Sequence, residues 1–296
     1  MIQQALRLGT RTFAPTELVV MAIVNRTPDS FYDQGATYAI DAAVTRAVEA
    51  LDAGAAIIDI GGVKAGIGDY VSPAEEMDRV VPVVAALRER RPAAVISVDT
   101  WRADVAREVV AAGADLLNDA WEGHDPELKL VAAETGAGLV CMHAGHLPPR
   151  TDPHNPVYDD VVVDVIETVE SLASAAVAAG VRPDGIIVDP GHDFGKITVQ
   201  SLEVTRRLGE LVDTGWPVLV ALSNKDFVGE TLDLPTSERL TGTLAAAAVS
   251  AWLGARIFRV HNVVQVRQAL DMVASIRGDR PPAVAKRGIY PAAPPH

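Results

Sequence analysis

Eight times along this chain a short apolar run stops at a polar or small residue. Residues 18–24 run into Asn25, 56–60 (with Asp59 embedded) into Gly61-Gly62, 94–98 into Asp99, and 114–117 into Asn118. Residues 138–142 run into His143, 185–188 into Asp189, 218–222 into Ser223, and 255–260 into His261. Stretches long enough for a helix separate successive runs. This repeated βα spacing predicts an α/β fold, a single-domain (β/α)8 TIM barrel. Such barrels place their chemistry at the C-terminal ends of the strands. The residues that terminate the runs are therefore the pool of candidate site groups.

The chain has 296 residues, against about 250 for a typical barrel of this kind. One domain with extensions fits: an N-terminal extension over 1–17 that adds a strand or plug at the barrel base, a barrel over 18–277, and a Pro-rich tail over 278–296 expected to be disordered. The net charge of −13 argues against nucleic acid or an anionic membrane as partner. An anionic substrate needs basic groups gathered at one site. The single cysteine, Cys141, excludes an internal disulfide and points to a reducing compartment; inside an apolar run it reads as a buried, inert thiol. Residues 1–11 hold no sustained apolar segment and no run reaches 18 apolar residues. Neither a signal peptide nor a transmembrane helix is expected, and the expected location is cytoplasmic.

Helix signals fall between the runs. Ser72-Pro73-Ala74-Glu75 reads as a capping box with proline at the first helical position, and Pro92 ends that helix. Gly113 and Gly180 read as C-terminal caps. Residues 243–253 are nearly all small and apolar, so that helix is expected to be covered on both sides, which suggests a homodimer.

At the strand ends, each polar group has a local and a chemical reading. Asn25 either closes a turn or offers its carbonyl to a bound cation or phosphate. Asp99 stands before a helix, as an N-cap does, and Asp189-Pro190-Gly191 is a common turn. Taken together, Asp59, Asp99, Asn118 and Asp189 ring one barrel mouth with amides and carboxylates, which suit a heterocycle rich in N–H groups. Ser223-Asn224-Lys225 brings a cation to that mouth. Alternation puts Arg259 and His261 on one side of the last strand, a pair suited to phosphate. His143, His146 and His154 share a Pro-rich loop whose spacing matches no helix-based ligand pattern, so no metal is expected there.

These segments resemble dihydropteroate synthase. The resemblance is carried by Asn25-x-Thr27-Pro28-Asp29-Ser30-Phe31, Asp59-Ile60-Gly61-Gly62, Ser97-Val98-Asp99-Thr100, Asn118-Asp119, Met142-His143, Asp189-Pro190-Gly191-x-x-Phe194-Gly195-Lys196 and Arg259-Val260-His261, in order over about residues 18–275. It implies condensation of a dihydropterin-methyl diphosphate with 4-aminobenzoate, with release of diphosphate. Asp99, Asn118, Asp189 and Lys225 match the residues that hold the pterin. Asn25, Arg259 and His261 match those near diphosphate and Mg2+. Asp99 and Lys225 are thus the candidate catalytic groups. Asp59, Asn118, Asp189, Ser223, Arg259 and His261 are candidate substrate-binding groups, and Asn25 is the candidate ligand of a weakly held Mg2+.

The departures from the family pattern cluster at the anion-binding and second-substrate elements. The second loop, Glu-Ser-Thr-Arg-Pro-Gly in the family, reads Val63-Lys64-Ala65-Gly66-Ile67-Gly68 here, so its threonine and arginine become Ala65 and Gly66. Ser-Arg-Lys becomes Ser223-Asn224-Lys225, Met-His-Met becomes Met142-His143-Ala144, Pro-Gly-Phe-Gly-Phe-Gly becomes Pro190-Gly191-His192-Asp193-Phe194-Gly195, and the final Asp of Arg-Val-His-Asp becomes Asn262. A hydrogen bond to a charged group is worth roughly 1.5–3 kcal/mol. Losing two arginines then costs roughly 3–6 kcal/mol, or about 10²–10⁴ in rate. The expectation is a retained pterin pocket, very weak or absent synthase activity, and residual binding of pterin, 4-aminobenzoate or sulfa-type analogues. Three alternatives stand: an active synthase using Lys64 and Arg26 as substitute cations, a non-catalytic binding or regulatory homologue, and methyl transfer from a reduced folate, which needs a cobalamin partner.

Overall fold

The computed structural model describes residues 4–25, 36–151 and 157–287. Arg26 and the Thr27-to-Phe31 motif, His154, and the tail beyond residue 287 lie outside the described residues.

A short antiparallel hairpin, β1 (Leu6–Leu8) and β2 (Arg11–Phe13), precedes eight parallel strands. These are β3 (Val19–Asn25), β4 (Ile57–Gly61), β5 (Val95–Asp99), β6 (Leu116–Asp119), β7 (Gly138–Met142), β8 (Ile186–Asp189), β9 (Leu219–Val220) and β10 (Ile257–Val260), one from each apolar run. They pair in the order β8-β7-β6-β5-β4-β3-β10-β9. The ring closes where Val188 bridges Val218 and donates its N–H to the Pro217 carbonyl at 2.9 Å. β9 is shorter than its run; Pro217 has no N–H to give to a ladder at its entry.

The helices are α1 (Ala36–Asp52), α2 (Pro73–Arg90), α3 (Ala103–Ala111), α4 (Leu128–Thr135), α5 (Val161–Ala178), α6 (Thr198–Arg206), α7 (Leu208–Val212), α8 (Asp226–Leu232), α9 (Leu240–Trp252) and α10 (Val263–Arg277). Ser72 caps α2 by accepting from the Glu75 N–H at 3.2 Å, with Pro73 at the first position. The Glu75 side chain does not complete the box; it pairs with Arg79 one turn on. The helix also runs on through Pro82, which the sequence reading did not place. Gly113 and Gly180 follow α3 and α5 at φ 116° and 106°, backbone that favours glycine.

Strand alternation sorts the core into two layers. Val20, Ile58, Ile96, Leu117, Leu139 and Val188 face outward and pack with the helices. Val19, Met21, Ile57, Val95, Leu116, Val140, Ile187, Leu219 and Ile257 face inward, with Leu6, Leu8 and Phe13 of the hairpin packed on them. Two residues further along the same inner face come Asp59, Ser97, Asn118, Met142, Asp189, Ala221 and Arg259. Apolar filling thus gives way to polar side chains at one end of the barrel. Cys141 is buried among the outward-facing residues, and burial pushes its thiol up, as expected of an inert cysteine. No helix among the described residues is long and apolar enough to cross a membrane.

Candidate functional site

A cavity of about 230 Å³ opens at the C-terminal end of the strands. Asn25, Asp99, Asn118, Asp189, Lys225 and Arg259 line its polar side, and Val63, Ala65, Ala120, Met142, Phe194 and Ala221 its apolar side, with Lys64 at the loop. Six of the nine candidate site residues therefore share one cavity. Asp59, Ser223 and His261 do not line it. Asp59 is wholly buried beneath, Ser223 accepts from the His261 N–H at 3.3 Å, and His261 lies past the end of β10, exposed at the rim. The expectation that Arg259 and His261 form one inward pair is corrected. The strand ends at Val260, so alternation no longer governs His261.

The floor of the cavity is a charge network. Asp59 accepts from Ser97 Oγ at 2.6 Å, from Asn118 Nδ2 at 3.2 Å and from Arg259 Nε at 2.6 Å. Arg259 also donates through Nη2 to Asp99 at 2.8 Å. Burial works against the charge of Arg259, and Asp59 and Asp99 hold it. Burial pushes Asp99 up to about 7 against the pull of Arg259, with Asp59 and Glu76 adding to the rise. Asp99 is not a helix cap: α3 starts at Ala103, and Thr100 Oγ1 accepts the Arg102 N–H. Asp189 does both jobs that its sequence allowed, since it accepts from the Gly191 N–H at 2.7 Å and still lines the cavity. Burial raises its carboxyl too. Asp119, beside Asn118, is local in role: it accepts from the Trp121 and Gly123 amides.

Two lysines approach from the other side. Lys225 donates to the His192 carbonyl and places Nζ 4.6 Å from the centre of the Phe194 ring. Burial lowers its pKa. Asp193, in left-handed backbone at φ 62°, accepts the Asp226 and Phe227 amides and so caps α8, which fixes the loop holding Lys225. Lys196 is buried behind the wall, lowered to about 7 by burial. It faces the carbonyls of Gly191 and Phe194, each at 3.0 Å, and His143 Nδ1 at 2.6 Å. An ammonium satisfies this set with three donors, and an amine with two donors and one lone pair.

Two other arginines approach the positions where the family's arginines are absent, and both spend their donors on backbone carbonyls. Arg150 reaches the 62–72 loop but donates to the carbonyls of Gly66 (3.2 Å) and Asp69 (2.6 Å). Arg239 reaches Asn224 but donates to its carbonyl at 2.9 Å, and to Asp226 at 2.8 Å. Neither lines the cavity. The cations that do, among the described residues, are Lys64, Lys225 and the doubly paired Arg259.

The sequence reading missed three things here. It did not see that Arg259 is neutralised by Asp59 and Asp99, nor that Arg150 clasps the 62–72 loop. It also set aside the histidines of the 143–154 loop, whereas His143 and His146 meet Asp164 of α5; no local spacing signals a partner that far along the chain.

A closed (β/α)8 barrel with amides, carboxylates and lysines gathered at the C-terminal ends of its strands places the chain among TIM-barrel proteins with a polar site at the barrel mouth. Comparison gives the particular family. Residues 21–261 match the pterin binding enzyme family. The chain is 55% identical to the inactive dihydropteroate synthase 2 of Mycobacterium leprae over 94% of this chain and 97% of that protein. It is 42% identical to the dihydropteroate synthase of Bacillus subtilis, over 86% and 87%. The structure superposes on Xanthomonas albilineans dihydropteroate synthase with 4-aminobenzoic acid at a TM-score of 0.85 and 34% identity, covering 93% and 98% of the two chains. The chain belongs to the dihydropteroate synthase family of pterin binding enzymes.

Proposed function

We propose that this protein is a pterin-binding homologue with a retained ring pocket and very weak or absent synthase activity. The observation that carries the reading is the cavity itself: its polar lining is full while, among the described residues, the cations lining it that are not paired with a carboxylate are two lysines. Asp99, Asn118, Asp189 and Lys225 would hold the ring edge, carboxylates and amide meeting its N–H groups. The apolar wall of Met142 and Phe194 would take its face. Val63 and Ala65, beside that wall, would meet 4-aminobenzoate or a sulfa-type analogue.

Diphosphate needs cations, and Arg259 meets it already bound to two carboxylates. Asn25 Oδ1 fits Mg2+ as one oxygen ligand, with a bound diphosphate and water completing the shell. Gly61 keeps that corner open, since a Cβ there would lie 3.3 Å from Asn25 Oδ1. Mg2+ would supply charge neutralisation to the leaving group. Lys64 is a point charge and does not copy the fork of an arginine. The inactive naming of the Mycobacterium leprae relative supports the same reading.

The proposed boundaries are an extension over 1–17, the pterin-binding barrel over 18–277 and a tail beyond. The proposed compartment is the cytoplasm. A homodimer is the proposed assembly, through the adjacent helices α9 and α10. Val249 and Trp252 lie three apart on one, Met272 and Ile276 four apart on the other, and all four are exposed.

Calorimetry with a pterin diphosphate and Mg2+ tests the pocket. Binding that weakens about 10–100-fold in Asp189→Ala supports it. Turnover near one per second with both substrates, about the lower end for enzymes, would overturn the impaired-enzyme reading.

A further inference from the structure

Behind the cavity wall, three loops and one helix bring a second cluster together. His143 follows β7 and is wholly buried, and its Nε2 lies 2.7 Å from Asp164 Oδ1 on α5. His146, three residues on and 61% exposed, points its Nε2 at the same oxygen from 3.5 Å. One ligand atom from each of the three lies within 4.8 Å of the others. None of the three lines the cavity described above.

Glu122, in the loop after β6, fixes this arrangement from behind. Its Oε1 pairs with His146 Nδ1 at 2.5 Å. Its Oε2 accepts the amides of Ala144 (2.7 Å) and His146 (3.1 Å). Glu122 and His146 both hold left-handed backbone, each at φ 58°, which non-glycine residues adopt only when their surroundings enforce it. The other nitrogen of His143 faces Lys196, whose amine form, with two donors for the Gly191 and Phe194 carbonyls and one lone pair, accepts the Nδ1 proton and leaves Nε2 its lone pair, so each imidazole presents Nε2 to the shared point.

We propose that His143 Nε2, His146 Nε2 and Asp164 Oδ1 form a binding site for a divalent transition-metal ion of the zinc type. Two imidazoles and a carboxylate are a donor set that zinc accepts, with a fourth position left for water. Two ligands at about 2.0–2.1 Å on a tetrahedral ion stand about 3.3 Å apart, so a small opening of the His143–Asp164 contact admits it. Glu122 supplies the carboxylate behind a ligating histidine that orients the ring and supports the ion. The exposed His146 gives an entry path, and the charge of the ion is met by Asp164 and Glu122. The bound ion would staple the β6 and β7 loops to α5.

The test is a Co2+ titration of the full chain after chelator treatment. One equivalent should bind with visible ligand-field bands, and Zn2+ should displace it. His146→Ala, at an exposed position, should leave the metal-free protein folded and weaken binding by more than about 100-fold. Asp164→Asn should do the same to binding, Glu122→Gln should weaken it about 10–100-fold, and His124→Gln should change nothing. Absence of binding tighter than about 1 mM, or binding that survives His146→Ala unchanged, overturns the assignment. The site is independent of the pterin reading, since ring affinity is measured on the same protein without metal.

Discussion

The floor and the rim of the barrel mouth are built by different rules. On the floor, Asp59, Ser97, Asn118 and Arg259 all stand on strands, one layer above the apolar filling, and Asp59 joins the other three. At the rim, the 62–72 loop and Asn224 depend on loop backbone, and the guanidiniums near them, Arg150 and Arg239, are bound to carbonyls. A barrel that folds fixes its floor as a consequence of strand register. The rim is fixed only by its own residues, and there the chain departs from the family pattern. A ring socket can therefore persist in a chain that has given up its anion grip.

Returning arginines to the rim is the largest perturbation of that contrast. Gly66→Arg combined with Asn224→Arg should raise turnover about 10²–10⁴-fold if the floor is intact, read with both substrates and Mg2+. The first change meets no obstacle, since a Cβ at Gly66 has nothing within 4 Å. The second replaces a residue at φ 58°, where an arginine carries about 1–2 kcal/mol of backbone cost. Gly66→Arg should account for most of the gain. No gain would mean that the floor itself has lost its chemistry.

Next comes the floor. Asp59→Ala removes a wholly buried carboxylate and leaves Arg259 and Asn118 short of a partner. Breaking a buried pair in this way costs about 3–5 kcal/mol, which a urea midpoint will show, together with loss of pterin binding. A cost below about 1 kcal/mol, the scale of a surface pair, would place the network among peripheral contacts.

How far these groups were legible follows the same division. The strand termini were readable because a period of two carries an inner-face residue such as Ile57 to Asp59, or Ile257 to Arg259. The cavity thus gathered Asp99, Asn118, Asp189, Lys225 and Arg259 as a sequence pattern can anticipate. The partner choice was not readable. That Arg259 faces two carboxylates 160 and 200 residues away depends on ring closure, which no local pattern encodes. The same holds for Asp164, which reaches His143 only because α5 packs beside β7. His261 was misplaced for a simpler reason: strand alternation was carried one residue past the end of β10.

A smaller effect separates the floor by pH. Burial raises the Asp99 carboxyl to about 7, from the usual 3.9 or so. Between those values the folded protein holds a proton that the unfolded chain has released, so stability from this group falls as pH rises from about 4 to about 7 and is flat above. Asp99→Asn should make that slope shallower in a thermal-unfolding series, the buried Asp119 carboxyl, raised to about 6, keeping part of it. Ring N–H groups need the ionised carboxylate, so pterin affinity should move the opposite way, weakening up to about tenfold per pH unit below about 7. Affinity unchanged from pH 5 to 8 would remove Asp99 from the ring contact.

The smallest expected effect sharpens the rim. Arg150→Ala deletes two hydrogen bonds to the carbonyls of Gly66 and Asp69, both on an exposed loop. Neutral acceptors in water-accessible positions are worth about 0.5–1.5 kcal/mol each at most, and exposure places the sum near the lower end. Unfolding should shift by less than about 1 kcal/mol, and pterin affinity should hold, because Arg150 does not line the cavity. The 62–72 loop, released from its clasp, should become the preferred site of limited proteolysis. A fall in ring affinity with the floor unchanged would instead show that the clasp, by holding Val63 and Ala65 against the cavity, shapes the ring pocket as well as the rim.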